Sequence, residues 1–191
     1  VLSMQKILFV LVSLILMSTQ AHAVSQVVSS TSNPIAITTP TPVYVRYDLV
    51  FPGILPGHPL YKLKVARDKI MEAIISDPKQ KIEFYLKQTD KGMLATAMLV
   101  DQNKFELVKD SALKTEHNFT LLTYQLYKLN SNPGVEFFRT LATASAKHQE
   151  VLASLLPRVP EDVRQTLVTV IDFSVRNLAK VQEFEKQVNT E

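Results

Sequence analysis

Prolines cut this chain into helix-length pieces. Pro59, Pro78, Pro133 and Pro160 each stand where an apolar stripe of helical spacing is about to begin. A proline is tolerated in the first turn of a helix and excluded from its interior. Asp77, ahead of Pro78, is a good N-cap, and Glu161-Asp162 put acids where the helix dipole favours them. Leu63, Ala66, Ile70 and Ile74 form the first stripe, and Ile82, Leu86, Thr89, Met93, Ala97 and Val100 the second. Phe105, Val108, Ala112, Thr115, Phe119, Leu122, Leu126 and Leu129 alternate spacings of three and four, the pattern of a coiled-coil seam. Phe137, Leu141, Ala144, His148, Val151 and Leu155 follow, then Val163, Leu167, Val170, Ser174, Leu178, Val181 and Val188.

A polar turn is expected at Asp101-Gln102-Asn103-Lys104. The alternative, one helix from Pro78 to Leu129, would run about 78 Å and need a partner of equal length that the chain does not offer. Short turns between long helices reverse the chain direction, and narrow stripes pack at shallow angles. The expected fold is therefore all-α: an up-and-down antiparallel bundle of four long helices plus a shorter first helix, over residues 51–189. A disordered Ser/Thr/Pro-rich segment is expected to precede it.

That segment spans residues 24–50, with Pro34, Pro40 and Pro42 among serines and threonines. Too little apolar surface is available there to offset the entropy of ordering, so it reads as a flexible or extended tether. Val43 to Phe51 is more apolar and could lie as an extended strap, since Tyr44, Tyr47 and Phe51 want partners. Ahead of the tether, Lys6 is followed by the apolar run Ile7 to Met17, and Ala21-His22-Ala23 supplies small residues for a signal peptidase. At about 16 Å as a helix the run falls short of a hydrocarbon core of roughly 30 Å. Residues 1–23 therefore read as an export leader cut after Ala23, and the expected location is periplasmic or extracellular. With Cys 0 in the chain, no disulfide supports the body and no lipid anchor can be built on a cysteine.

Phe51-Pro52-Gly53-Ile54-Leu55-Pro56, His58-Pro59-Leu60-Tyr61, Leu63-Lys64 and Arg67-Asp68 resemble the opening motif of a bacterial family of exported helical proteins, domain of unknown function 5667. The likeness extends through Asp77-Pro78, Lys81, Phe84-Tyr85-Leu86 and Asp90-Lys91, and is echoed in His148 to Leu152 and Val159-Pro160-Glu161. Thr89 and Gly92 depart from the pattern, which has a small apolar residue before the aspartate and an arginine after the lysine. The resemblance implies a helical exported protein and no particular activity. Within the motif, Pro52 and Pro56 are expected to stiffen the approach and Gly53 and Gly57 to let it turn. Pro59 is expected to start the first helix, with Leu60, Tyr61 and Leu63 anchoring it to the bundle.

Signatures of catalysis are missing from the pattern. No glutamate has a histidine three residues on, as di-iron bundles require. Gly53, Gly57, Gly92 and Gly134 fit neither the P-loop nor the dinucleotide fingerprint. His148, on an apolar stripe, reads as a satisfied core histidine and His58 as a helix-start residue; no metal or cofactor is expected. Charges of both signs are interleaved to a net +3, which offers nucleic acid no concentrated basic face. Lys62, Lys64, Arg67 and Lys69 cover much of the first helix, as a solvated face or as a weak contact with an anionic envelope surface. The expected function is a non-catalytic binding or interaction module outside the cytoplasm, its partner an unknown protein or envelope component. A periplasmic chaperone or stress-sensing protein is the alternative, and an enzyme of unknown type stands third.

Overall fold

A computed structural model describes residues 44–190. The leader of 1–23 and the tether up to residue 43 lie outside the described residues. Five α-helices follow one another: α1 (Tyr61–Ile74), α2 (Pro78–Asp101), α3 (Phe105–Leu126), α4 (Val135–Leu155) and α5 (Glu161–Val188), with a 3-10 turn at Leu156–Arg158. There is no strand among the described residues, so the all-α expectation holds.

The breaks fall where the punctuation puts them. Asp77 accepts the Gln80 N–H at 2.8 Å, capping α2 ahead of Pro78. α2 ends at a turn where Asn103 takes φ 56°, a left-handed conformation that asparagine tolerates. α1 begins two residues after Pro59, at Tyr61 behind the cap residue Leu60. α4 waits until Val135, because Gly134 turns the chain at φ 93° with its N–H donated to the Asn132 side chain.

Chain direction alternates from α2 to α5, but the packing is not a simple meander. α2 packs on α3 and α4, and α5 packs on the same two helices. One apolar cluster joins the end of α2 (Leu99, Val100) to the starts of α3 and α5 (Val108, Val163) and the end of α4 (Leu155). The other joins the start of α2 (Ile82) to the ends of α3 and α5 (Leu126, Phe184) and the start of α4 (Phe138). α2 and α4 therefore run parallel, as do α3 and α5, and residues 127–134 carry the chain across the diagonal.

A buried polar waist between the two clusters, together with a hydroxyl pair inside the first, bridges every pair of packed helices. Asp90 meets His148 between α2 and α4 at 2.7 Å. Asn177 of α5 donates to Glu116 of α3 at 2.8 Å. The hydroxyls of Thr96 and Ser111 share a 2.9 Å bond between α2 and α3. A longer 3.4 Å contact from Gln149 to Ser174 spans α4 and α5. Sliding any helix by one turn would strip these buried groups of their partners, so the waist holds the four helices in one register.

Gly92 sits where the Thr115 side chain of α3 presses close against α2. A Cβ there would stand 2.1 Å from Thr115 Oγ1 and 3.0 Å from its Cβ, and that hydroxyl is held by the Ser111 carbonyl at 2.7 Å. The departure from arginine at this position thus has a steric reason. Gly92→Ala should lower stability by about 1–3 kcal/mol through overpacking, outweighing the better helix propensity of alanine. The reading is a lower urea midpoint at unchanged slope; an unchanged or higher midpoint would mean that Thr115 swings aside freely.

α1 reverses the expectation placed on it. Its stripe of Leu63, Ala66, Ile70 and Ile74 points outward, and none of its residues is buried. Leu60 and Leu63 are exposed rather than anchoring the helix. The reason is topological: the four long helices close their own ring and leave no apolar face for a fifth.

Candidate functional site

The segment that leads into α1 is built as a strap across the bundle. The Val45 N–H donates to Glu150 Oε2 at 2.6 Å, and Lys147 bonds the other oxygen of the same carboxylate at 2.8 Å. Lys147 beside Glu150 holds that carboxyl below its ordinary range. Lys147 also stands 5.1 Å from the centre of the Tyr44 ring. Three residues after Tyr44, the Tyr47 hydroxyl reaches into the waist and donates to Asp90 Oδ2 at 2.8 Å. Burial, then the adjacent Asp90 carboxylate, pushes the Tyr47 phenol far above its usual value. Leu49 packs on the first apolar cluster.

Asp90 thereby receives a donor on each oxygen, one from the strap and one from α4. His148 Nε2–H supplies the second, and His148 Nδ1 is buried without a partner. A bare nitrogen there costs less than a buried N–H with nothing to bond, so the neutral tautomer carrying its proton on Nε2 fits the site. The rings of Tyr47 and Phe119 meet His148 edge-on at 6.5 and 6.0 Å between centroids. The histidine read from its stripe as a core residue is just that; the one sign of its carboxylate partner in the sequence is the adjacency of Asp90 to the seam residue Thr89.

The motif residues lie together around the turn into α1. Pro52 is buried, and its carbonyl accepts Lys64 Nζ at 2.9 Å, with the Ile54 carbonyl at 3.2 Å. Gly53 and Gly57 both take positive φ, 69° and 88°, which admits glycine without strain. A Cβ on Gly57 would also strike Leu107 Cδ1 at 2.8 Å. His58 Nδ1 accepts the Leu60 N–H at 3.1 Å, tying the turn that Pro59 starts. Pro56 and Tyr61 line a groove beneath α1, while Leu60 and Leu63 face away from the bundle. Arg67 and Asp68, neighbours in sequence, pair with each other at 2.7 Å.

The groove, of about 540 Å³, runs between the inner side of α1 and the α2–α3 pair. Charged and polar side chains enter it, Asp68 and Glu72 from α1, Lys91 from α2 and His117 from α3, but more of its wall is apolar, with Val65, Phe84 and Leu121 among the lining residues. The Tyr85 hydroxyl donates to Glu72 at 2.6 Å, which fixes the rotation of α1. Burial holds Lys64 and Lys91 below the ordinary ammonium value. Among the described residues no cluster of histidine, aspartate and glutamate is set to hold a metal ion.

α1 is consequently an amphipathic helix mounted polar side inward. Leu63, Ile70 and Ile74 are 67%, 63% and 64% exposed, with Met71 beside them. At 100° per residue the first three fall within one narrow line along the helix. The arrangement can do one thing that a buried helix cannot, which is to present a cluster of aliphatic side chains to something outside the molecule.

A family profile described as domain of unknown function (DUF5667) matches residues 53–162, more than half the chain, from Gly53 in the strap to Asp162 in the first turn of α5. No curated protein and no solved structure matches the chain.

Proposed function

The chain belongs to the family of domain of unknown function (DUF5667), and on that footing we propose that it is a non-catalytic interaction module held outside the cytoplasm, making its contact through α1. The observation that carries this reading is the outward apolar line of Leu63, Ile70 and Ile74 on a helix fixed by polar contacts. Aliphatic side chains left in water on a helix of otherwise good amphipathic pattern mark a contact surface. Export rests on the charged and apolar leader and its small-residue cleavage site.

The chaperone alternative calls for an apolar concave face. The groove under α1 has charged Asp68, Glu72 and Lys91 set into its apolar wall, whereas the aliphatic line of Leu63, Ile70 and Ile74 lies on the outer side of the helix, which weighs for docking over client cradling.

Photo-reactive residues placed at Leu63 and Ile70, with controls at the exposed Thr169 and Gln182 of α5, test the module reading in intact cells. Adducts, protein or lipid by mass, should form from the α1 positions and not from the controls. Equal labelling from both helices, or none from α1, would sink it, and fractionation of the chain with cytoplasm would remove the export half.

A further inference from the structure

We infer that the outer face of α1 docks onto an anionic lipid surface, an inference that rests on the module reading and names its partner. Four cations, Lys62, Lys64, Arg67 and Lys69, share α1 with two acids, Asp68 and Glu72. The acids are turned inward: Glu72 bonds Tyr85 at the wall of the groove, and the Asp68 side chain is 19% exposed against 63% for its partner Arg67. What remains on the outer side is aliphatic and cationic only. Lys62 lies to one side of the line of Leu63, Ile70 and Ile74 and Arg67 close beside it, while the exposed Lys69 stands at the rim of the groove.

That pattern chooses among occupants. A second copy of α1 laid against the first would set Arg67 and the lysines against their own kind, so self-pairing is opposed by like charge. An anionic bilayer meets both features. Aliphatic side chains reach the boundary between head groups and acyl chains, while long lysine and arginine side chains keep their charges at the level of the lipid phosphates. Each cation near such a surface adds attraction that fades within a Debye length. The helix is short, lies outside the four-helix ring over the groove, and has no buried residue. No helix among the described residues is long and apolar enough to cross a membrane, so the contact is peripheral.

The chain contains Trp 0, so Ile70→Trp installs a single fluorescent reporter on the docking face. Full-length protein is mixed with vesicles of phosphatidylcholine alone and of phosphatidylcholine with phosphatidylglycerol. The apolar run Ile7 to Met17 is common to every variant and cancels in the comparison. Emission of the reporter should shift to the blue and become protected from aqueous quencher with the anionic vesicles. Affinity should be at least about tenfold higher than for the neutral ones and should fall as salt is raised. Lys62→Gln with Lys69→Gln should lose the preference for anionic lipid. Leu63→Asn with Ile70→Asn, which lacks the reporter and is read by co-sedimentation with the vesicles, should weaken binding at least about tenfold without changing the melting temperature, since both side chains are exposed. No blue shift, binding that ignores salt, or affinity indifferent to the Leu63 and Ile70 changes would overturn the inference. Absence of vesicle binding together with position-specific protein adducts from α1 in cells would replace lipid by an acidic protein partner and leave the module reading standing. Concentration-dependent dimerisation lost in the Leu63 and Ile70 double variant would replace lipid by a second copy. Loss of both vesicle binding and adducts would bring both readings down.

Discussion

Replacing His148 with leucine should destabilise the protein by about 3 kcal/mol or more, because a buried carboxylate is left without the donor on one of its oxygens. The two side chains are close in volume, so the loss is not mainly a cavity. It arises because Asp90, itself buried, keeps only the Tyr47 hydroxyl and loses the donor on its other oxygen. Adding Asp90→Asn to His148→Leu should recover about half of the loss, because a neutral amide tolerates the missing partner better than a carboxylate. Urea denaturation of the wild type, both single variants and the double variant gives the coupling directly. Additive losses would show that Asp90 and His148 stabilise the bundle independently. Tyr47→Phe, which removes the strap's donor to the same carboxylate, should cost less, about 1.5–3 kcal/mol, since Asp90 keeps the histidine.

Glu116 supplies the second large effect, through pH. Burial pushes its carboxyl from an ordinary 4.5 up to about 7, against the opposing hydrogen bond from Asn177. In the unfolded chain the group loses its proton near pH 4.5; in the folded chain it keeps it until about pH 7. Across that window the native state binds more protons than the unfolded state, so stability falls as pH rises and the penalty is complete above about 7. A shift of this size corresponds to about 3 kcal/mol. Glu116→Gln keeps an oxygen to accept from Asn177 and cannot ionise. It should therefore match the wild type near pH 4 and exceed it by about 2–3 kcal/mol at pH 8, with the slope between removed. Parallel stability curves for the two proteins would mean that Glu116 folds with its charge intact. The second oxygen of Glu116 is buried without a partner, which is where a retained charge would cost most.

Why such groups were kept in the core follows from what they join. Apolar seams alone would let four similar helices slip by a turn or exchange partners, since each stripe is much like the next. Asp90 fits His148 and Glu116 fits Asn177 at one height only, and each pair ties two parallel helices that are not consecutive in the chain. The waist is thus the part of the core that specifies the diagonal crossing at residues 127–134.

The chain's own residues determined the helices and most of their seams. Asp77-Pro78, the polar run through Asn103 and the Pro157–Pro160 interruption end and start helices by local chemistry, whatever surrounds them. Spacings of three and four placed Ile82, Met93, Phe119, Leu126 and Leu167 in the core. Some seam positions shift by one residue, as from Phe137 to Phe138 and from Val151 to Leu152, and two go to a polar neighbour. Leu178 was expected inside where Asn177 is buried, and Ala97 where Thr96 is, although continuing the spacing from Ser174 and Met93 points to the polar residue in both cases. A polar side chain is admitted to a seam only if another helix brings its partner, and that is a property of the assembled fold.

The opening motif shows the same division. Gly53, Gly57, His58 and Pro59 make their turn by local conformation and short-range bonds, which their types announce. The anchoring role expected of Leu60 and Leu63 did not survive, because a stripe says that a face is apolar and not which surface it meets. With the ring of α2, α3, α5 and α4 already closed, the bond from Tyr85 to Glu72 and the latch of Lys64 on Pro52 turned α1 the other way. Helix periodicity is a property of the strand of residues itself; the choice of partner for each face is a competition among all the faces at once, and only the tertiary structure resolves it.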